Sequence, residues 1–405
     1  MRIIEVNKYH YERGGADKYY LNISTELKKA GHEVANFSMK HPSNTECQWS
    51  KYWPKRVSFN ENLGFKNKIN IIFRVLYSFP VKKKFKKLVE DFKPEIIHIH
   101  NIYHHLSPSI LSVAKKKKIP VVMHLHDYKL ICPNHTLFVN GEVCEKCQGH
   151  KYINCLKNKC LKDSFWGSFL ATIEMWLHHK VLKIYEKNVN LFIAPSQFMK
   201  DISVRFGQRE DRIQVIRNPY SSDLINKEIE TKVGDYLLFF GRLSEEKGLD
   251  TLINALIATK EKLIMLGQGP EYQSLQKRVD EHGANVEFLG LKKGDELIKL
   301  ISSAKAVIIP SIWYENMPLS LLEAMSLGKV VIVSNIGGLP ELIKDKENGF
   351  LVKANDFRDL ARVINNLDNY NLEEIGKRAK ERVKELSPEK NTQEVINSFI
   401  KILNY

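Results

Sequence analysis

A chain of 405 residues exceeds the usual size of one hydrophobic core, so two domains are expected. A composition of 43% hydrophobic and 10% aromatic residues excludes a disordered chain. The net charge of +15 is uneven, because residues 1–220 hold 37 Lys and Arg against 19 Asp and Glu, whereas the remainder holds 25 against 28. The first half is therefore predicted to face a polyanion. Since no nucleic-acid-binding motif accompanies the charge, an anionic lipid or a phosphorylated acceptor is favoured over nucleic acid.

No apolar run reaches the ~20 residues that cross a bilayer, and the N-terminal MRIIEVNKYHYERGG lacks the small-residue cleavage site of a signal peptide. A cytoplasmic protein is expected. The segment VKKKFKKLVEDFK (81–93) places Val81, Phe85, Leu88 and Phe92 at helical spacing beneath lysines. This basic amphipathic helix would either lie on the inner face of an anionic cell membrane, making the protein peripheral, or pack on its own sheet. The sequence leaves both open.

Strand-like runs alternate with helical patterns through both halves of the chain. The runs are 2–6, 32–38, 95–100, 120–127, 190–196 and 213–219, then 236–241, 262–267, 286–290, 306–311 and 330–334. Such alternation is typical of α/β proteins with doubly wound parallel sheets, whose sites lie at the carboxyl ends of the strands.

Two such series predict two Rossmann-like domains, residues 1–217 and 218–388, hinged near 217–235. The default ligand site is a cleft between them. Residues 389–405 are predicted to form a helix that packs back on the first domain.

Glu315 and Glu323 are the first candidate site residues, and they stand eight positions apart. On one continuous helix they would be about 12 Å apart along the axis, too far to act on one atom. Pro318 separates them, because proline is favoured at a helix's first position and disfavours a helical residue before it. Glu315 is therefore assigned to a loop and Glu323 to the helix LSLLEAMSL. The N-terminus of that helix is a ready anion site, which suits an extended ligand with a phosphate between hydroxyl-bearing groups.

The loop GRLSEEKG (241–248) follows a strand run and carries Arg242 and Lys247. Two cations at the end of a strand can stabilise the charge that builds on a departing diphosphate without a metal ion. A glycosidase acid and nucleophile is the rival interpretation of Glu315 and Glu323. The neighbouring Arg–Lys loop argues against it.

Taken together, these motifs resemble glycosyltransferase family 4, the retaining enzymes of the GT-B fold also called glycosyl transferases group 1. The shared pattern is a glutamate, seven residues and a second glutamate, preceded by a GR-x4-KG loop. Further matches are GGA near the N-terminus, LHD (125–127), APS (194–196), RNP (217–219), GQGP (267–270) and FLG (288–290).

The resemblance implies transfer of a hexose-type sugar from a nucleotide-diphosphate sugar to a glycan or a polyprenyl-diphosphate-linked acceptor, as in surface or capsular polysaccharide biosynthesis. It implies no cofactor for catalysis and no catalytic metal. A sugar-nucleotide epimerase or phosphorylase of the same fold, and a non-catalytic sugar-nucleotide-binding module, are the alternatives.

The resemblance also implies residue roles. Arg242 and Lys247 would bind the diphosphate, Glu323 the ribose hydroxyls and Glu315 the donor sugar, while His126 would reach the transferred sugar. The catalytic set is then Glu315, His126, Arg242 and Lys247. Further donor contacts fall to Asn316, Met317, Pro318, Gly267, Gly269 and Leu289, and the loop that approaches the diphosphate or the acceptor contains Gly14 and Gly15. Met317 stands where the family often has glycine, so a bulkier sugar pocket is expected.

Five of the six cysteines fall within 29 residues, at Cys132, Cys144, Cys147, Cys155 and Cys160. Because a cytosolic protein keeps its thiols reduced, this pattern indicates either a structural zinc site or free thiols, and it does not fix which four would ligate. The segment 132–160 is expected as an insertion on the acceptor side of the first domain. His98 and His100 alternate along one strand, where they would either contact the acceptor or satisfy a polar strand end.

Overall fold

The computed structural model describes residues 1–57, 65–220 and 234–404. The chain forms two compact units. Unit 1 comprises Met1–Leu137, Cys144–Arg217 and Glu389–Tyr405, and unit 2 comprises Phe138–Val143 and Asn218–Pro388. Most of the predicted hinge near 217–235 lies outside the described residues.

A parallel sheet forms the centre of unit 1. The strands of the first half are β1 (Arg2–Val6), β2 (Glu33–Phe37), β3 (Ile96–Ile99), β4 (Val121–His124), β5 (Phe138–Val139), β6 (Glu142–Val143), β7 (Leu191–Ala194) and β8 (Ile213–Val215). Strands β5 and β6 form a short antiparallel hairpin, and the other six pair in parallel in the order β2-β1-β3-β4-β7-β8. Strands β3, β4 and β7 are buried along their whole length, as expected where helices cover both faces of a parallel sheet.

Helices connect these strands and cover the sheet. They are α1 (Gly15–Lys29), α2 (Phe65–Leu76), α3 (Phe79–Phe92), α4 (Leu111–Lys117), α5 (Ile153–Lys157), α6 (Phe165–Met175), α7 (Ile184–Asn188) and α8 (Gln197–Arg205). A π-helical turn, Trp176–Val181, continues α6.

Unit 2 repeats the architecture. Its strands are β9 (Leu237–Phe240), β10 (Leu263–Leu266), β11 (Val286–Gly290), β12 (Ala306–Ile309), β13 (Val331–Ser334) and β14 (Phe350–Val352), in the order β11-β10-β9-β12-β13-β14. Every pairing within this six-stranded sheet is parallel. Its helices are α9 (Leu249–Thr259), α10 (Tyr272–His282), α11 (Gly294–Ser302), α12 (Leu319–Ser326), α13 (Phe357–Asn365) and α14 (Leu372–Val383).

The predicted α/β class with two doubly wound parallel sheets is confirmed, and each predicted strand run contains a strand. Strands β5, β6 and β14, of two or three residues each, were not predicted. The last helix, α15 (Pro388–Leu403), contributes Val395 and Phe399 to the core of unit 1, where they join Ile3 and Val122.

Helix α3 decides between the two interpretations of the lysine-rich segment. Val81, Phe85 and Leu88 are fully buried, and the rings of Phe85 and Phe37 meet edge to face at 4.9 Å. The apolar side of α3 therefore packs in its own domain, as the second interpretation predicted, and is not available for insertion into a membrane. Within the described ranges, no helix combines the length and the apolar composition needed to span a bilayer.

Candidate active site

Glycines shape the carboxyl edge of the unit 2 sheet. Gly241 and Gly267 follow neighbouring strands, and the amide of Gly267 donates to the carbonyl of Gly290 at 2.8 Å. A Cβ on Gly267 would lie 1.8 Å from the Gly241 carbonyl oxygen, and one on Gly269 would lie 1.9 Å from that of Leu243. Only glycine fits at either position, so this edge presents closely packed backbone. The predicted donor contacts Gly267, Gly269 and Leu289 all lie here, although the Leu289 side chain packs against the core.

The loop from 241 to 248 is fixed against the end of β12. Gly248 has a φ of +67°, and a Cβ there would lie 2.0 Å from the carbonyl oxygen of Pro310. The amide of Ile312 donates to the carbonyl of Glu246 at 3.0 Å. This docking holds Lys247 beside the loop that follows β12, while Arg242 is exposed.

Lys247 and Glu315, 68 positions apart in the chain, form an ion pair. The distance from Lys247 Nζ to Glu315 Oε1 is 2.6 Å, and the Ser311 hydroxyl donates to the same oxygen at 2.7 Å. Burial would raise the pKa of Glu315, but the Lys247 charge and these hydrogen bonds outweigh burial and lower the pKa below its usual value. Glu315 is therefore an ionised carboxylate that holds an ammonium at the strand edge.

Two glycines fix the backbone of Glu315. The amide of Gly338 donates to the Glu315 carbonyl at 2.6 Å. A Cβ on Gly337 would lie 2.5 Å from that carbonyl oxygen and 2.6 Å from the Glu315 nitrogen, and Gly337 has a φ of +63°. The positioning of Glu315 thus depends on a loop after β13, which was not among the predicted site residues. The Gly-Gly pair in SNIGGLPEL is the signal that could have revealed it.

Helix α12 begins where the sequence predicted. Pro318 caps it with φ −69° and ψ 136°, and the Pro318 carbonyl accepts from the Leu321 amide at 3.1 Å. Glu315 lies in the preceding loop, and Glu323 lies buried in the second turn of the helix. The predicted placement of Glu315 in the loop before Pro318 and of Glu323 in the helix is confirmed.

The structure corrects the expectation for Met317. Its side chain is buried in the apolar cluster with Leu321 and Leu322, so it adds no bulk to a sugar pocket. The Met317 carbonyl accepts a hydrogen bond from Asn218 Nδ2 at 3.0 Å. The neighbouring Asn316 is half-buried.

In unit 1, Gly14 and Gly15 begin α1. Gly14 caps the helix in an extended conformation, and no described atom lies within 4 Å of a Cβ built on it. Asn7, just beyond β1, donates to Asp17 Oδ1 at 2.8 Å and accepts from the amide of Asn101 at 3.2 Å. These bonds fix the start of α1 at the carboxyl edge of the sheet. The position beside Gly14 is open.

A buried hydrogen-bond network leads to His126. Nδ1 of His98 donates to Oε1 of Glu5 at 2.9 Å, and Nε2 of His100 donates to Oε2 at 2.8 Å. Nδ1 of His100 then lies 2.9 Å from Nε2 of His126. His124 stacks on His126 with ring centroids 4.6 Å apart. Glu5, His98, His100 and His124 are fully buried, so Glu5 binds His98 and His100 inside unit 1, while His98 Nε2 has no hydrogen-bond partner among the described residues.

The network defines which nitrogens carry protons. Burial, reinforced by neighbouring histidines, holds the pKa of His100 well below its usual value, and burial lowers the pKa of His126 to about 3. Both imidazoles are then neutral at pH 7, with one N–H each. With Glu5 as a carboxylate, the His100 proton lies on Nε2, so His100 Nδ1 accepts from His126 Nε2. His126 Nδ1 is left as a hydrogen-bond acceptor.

The five clustered cysteines are free thiols, and no three of their sulfur atoms lie within 4.8 Å of one another. Cys132, Cys147 and Cys155 are buried, whereas Cys144 and Cys160 are half-buried. Burial raises the pKa of Cys132 to about 11 and that of Cys147 to about 12. Among the described residues, the one group of three side chains whose potential metal-ligand atoms lie within 4.8 Å of one another is His98, His100 and His124.

Two protein-family profiles cover nearly the whole chain. The profile described as "Glycosyltransferase Family 4" matches residues 13–224, and that described as "Glycosyl transferases group 1" matches residues 222–385. Among the curated relatives, an uncharacterised 42.6 kDa protein of the cps region of Klebsiella pneumoniae is 28% identical over 376 residues, which is 89% of this chain and 91% of that protein. The putative colanic acid biosynthesis glycosyltransferase WcaL of Escherichia coli K12 is 32% identical over 162 residues, 36% of this chain and 40% of that protein.

Solved structures share the fold over the full length. HepE of Anabaena, in complex with UDP and glucose, aligns with a TM-score of 0.67 and 20% identity, covering 99% of this chain and 100% of that one. Sucrose-phosphate synthase of Thermosynechococcus elongatus aligns with a TM-score of 0.70 and 18% identity, covering 100% and 99%. The two parallel-sheet α/β units are those of the GT-B fold.

Proposed function

Because this chain belongs to glycosyltransferase family 4 and is a glycosyltransferase of the group 1 type, we propose that it moves a sugar, with retention of configuration, from a nucleotide-diphosphate sugar to a glycan or a lipid-linked saccharide. The observation that carries the proposal is the Lys247–Glu315 pair at the carboxyl edge of the unit 2 sheet. The cps and colanic acid relatives favour a role in surface polysaccharide biosynthesis. The positive charge of the first half of the chain favours an acceptor carried on a lipid diphosphate at the inner face of the cell membrane.

The charges of this edge suit a diphosphate leaving group. Lys247 supplies positive charge at the loop that leads into α12, whose N-terminal backbone amides also favour an anion, and Arg242 is exposed on the same loop as Lys247. As the bond between the sugar and the diphosphate breaks, negative charge grows on the phosphate oxygens, and these cations stabilise it without a metal ion. The acceptor hydroxyl forms the new bond on the same face of the sugar, and its proton passes to the departing phosphate.

The two carboxylates bind different parts of the donor. Glu315, buried and ionised, accepts hydrogen bonds from hydroxyls of the sugar, and Glu323 accepts from the ribose. The closely packed backbone at Gly267, Gly269 and Gly290 is assigned to the flat base, and of these three positions only Gly290 has open space beside it. Uracil is the first base to test, since HepE was solved with UDP-glucose.

A thermal-shift panel with UDP-, GDP- and ADP-sugars tests the donor, because a ligand that binds only the folded state raises the melting temperature. One nucleotide series is expected to stabilise the protein. NMR of the product made from an α-linked donor is then expected to show an α linkage. An inverted linkage would contradict retention. Interconversion of the donor without any acceptor would favour an epimerase.

Glu5 is expected to set the tautomer of His126. Glutamine at position 5 brings an N–H₂ group that donates where the carboxylate accepted, so one of the bonds to His98 and His100 must reverse. We expect Glu5→Gln to lower kcat at least tenfold with a smaller change in KM for the donor, since misplacing the proton of a relay histidine impairs catalysis. The measurement is steady-state kinetics together with long-range ¹H–¹⁵N correlation of labelled histidines.

The NMR spectrum distinguishes a role of Glu5 in placing the His126 proton from a purely structural role of Glu5. In the wild type the His126 proton is expected on Nε2, and in Glu5→Gln the His126 tautomer is expected to be mixed or reversed. If His126 keeps its Nε2 proton while activity falls with the melting temperature, Glu5 has only a structural role.

Structural zinc in the segment 132–160 is part of the proposal. Thiols are the donors that structural zinc prefers, and the amides of Leu137 and Asn134 hydrogen-bond the Cys132 sulfur as they would a thiolate ligand. Zinc uptake would displace the thiol protons, which the raised pKa values of Cys132 and Cys147 otherwise retain at neutral pH.

Metal analysis of the purified protein is expected to find about one zinc per chain. The double variant Cys144→Ser/Cys147→Ser is expected to lose the metal and to melt at least 5 °C lower, on the order of a 1–2 kcal/mol loss. Cys47→Ser, outside the cluster, serves as the matched control. A metal-free wild type whose cluster variants melt normally would identify the cysteines as reduced thiols.

A further inference from the structure

Helix α6 exposes three aromatic side chains, although it buries two polar residues beside Ala171 and Met175. Ser168 and Glu174 face inward, whereas Phe165, Trp166 and Phe169 are exposed, and Trp166 retains 75% of its accessible surface. Trp176, in the π-helical turn, is 53% exposed. A surface helix normally turns its apolar stripe to the core. An aromatic stripe on the outside therefore indicates a partner.

Buried polar contacts fix α6 in this orientation. Glu174 Oε2 accepts from Lys129 Nζ at 2.8 Å and from His104 Nε2 at 3.0 Å, and the Ser168 hydroxyl accepts from the Leu161 amide at 3.0 Å. Burial would raise the pKa of Glu174, but His104 and Lys129 hold it well below its usual range. Rotating the aromatic side inward would break this buried ion pair, so exposure of the rings is built into the fold.

Helix α2 extends the same surface. It packs on α6, and the His178 Nε2 of the π-helical turn donates to the Leu76 carbonyl at 2.7 Å. Ile72 and Phe73 of α2 are exposed, Phe73 by 64%. We call these exposed side chains the aromatic face: Phe73, Ile72, Phe165, Trp166, Phe169 and Trp176.

Basic residues flank the aromatic face along the chain. Residues 65–89, which include α2 and most of α3, contain eight lysines and arginines and no aspartate or glutamate. Lys162, Lys180 and Lys183 are exposed at the two ends of α6 and its π-helical turn. Exposed tryptophans flanked by lysines suit the boundary between the headgroups and acyl chains of an anionic bilayer. A second copy of this chain would present the same positive charge and be repelled.

We propose that the aromatic face docks on the headgroup layer of an anionic membrane, with Trp166 and Phe169 inserted and the surrounding lysines on the lipid phosphates. This deepens the proposed function and rests on it for the lipid-linked acceptor, which would be met at the same surface. Insertion into the bilayer is assigned to α6, with α2 beside it, whereas α3 contributes only its exposed lysines.

The test measures binding of the full-length protein to vesicles of 30% phosphatidylglycerol in phosphatidylcholine, with pure phosphatidylcholine vesicles as reference. The wild type is expected to sediment with the anionic vesicles at low salt and to show a blue shift of tryptophan emission. The double variant Trp166→Ser/Phe169→Ser is expected to bind at least tenfold more weakly and to melt like the wild type. Phe357→Ser, which removes an exposed aromatic ring from unit 2, is the matched control and should bind normally.

Three results would overturn the proposal: no binding of the wild type to anionic vesicles, equal binding by the double variant, or a dimer that the double variant converts to a monomer without vesicle binding. Transfer of sugar to a short-chain, water-soluble acceptor needs no membrane, so this assay tests the proposed function independently of membrane docking. The double variant should retain that activity. A protein that binds vesicles but transfers no sugar would instead contradict the proposed function alone.

Discussion

Glu315→Gln is expected to lower the rate of sugar transfer at least a hundredfold while leaving the affinity for the free nucleotide diphosphate unchanged or higher. Glutamine keeps the shape of the buried side chain and removes its charge. The hydroxyls of the sugar then lose a strong acceptor, about 2.7 kcal/mol for a hundredfold loss. Lys247 loses its only described counter-charge and becomes more available to phosphate. Isothermal titration with the nucleotide and initial-rate kinetics measure the two effects.

Glu323→Gln is the companion variant. It is expected to weaken nucleotide binding about tenfold, the loss of one charged hydrogen bond to the ribose, and to retain a measurable kcat. Equal loss of nucleotide binding in both variants would contradict the separate roles assigned to the two carboxylates.

Lys247→Met is expected to destabilise the protein by about 3 kcal/mol, because it leaves a buried carboxylate without its cation. The folded-state pKa of Glu315 lies below its unfolded value, so the pair stabilises the fold above the unfolded pKa. That stabilisation is lost as the pH falls through the folded value. The difference in unfolding free energy between the wild type and Lys247→Met should therefore shrink in acid. Urea unfolding at several pH values measures it, and a constant difference would contradict the ion-pair assignment.

The sequence predicted the strands and the division at Pro318 because these depend on local patterns. Apolar runs between helical windows need no distant partner to be recognised, and proline restricts its own neighbourhood. Contacts between distant parts of the chain were not predicted in the same way. The Lys247–Glu315 pair joins two motifs that had each been identified, but their direct contact depends on how the loop 241–248 docks on β12.

The histidine network and the orientations of α3 and α6 were not predicted, because they depend on contacts between distant parts of the chain. Glu5 interrupts an otherwise apolar strand, and only the pairing of β1 with β3 places it between His98 and His100. Helical spacing in α3 was visible, but spacing alone does not say whether an apolar stripe faces the core or a membrane. In α3 it faces the core. In α6 the buried Glu174 reverses the usual orientation, and that depends on Lys129 and His104, far away in the chain.

The second large effect is expected from Gly337→Ala, which changes no charged or substrate-binding group. Alanine at a φ of +63° costs about 1 kcal/mol. At Gly337 its Cβ would also lie 2.5 Å from the carbonyl oxygen and 2.6 Å from the nitrogen of Glu315, so the loop that carries Glu315 must move. Displacement of this carboxylate by even 1 Å is expected to lower transfer about a hundredfold.

Gly283→Ala is the matched control for Gly337→Ala. Gly283 ends α10 with the same φ of +63°, but no described atom lies within 4 Å of its Cβ position. Both variants therefore lose the same backbone freedom, and both should melt a few degrees lower. Only Gly337→Ala should also lose transfer, because only there does the methyl group meet the backbone of Glu315. Full activity in Gly337→Ala, or equal loss in Gly283→Ala, would show that the position of Glu315 does not depend on this glycine.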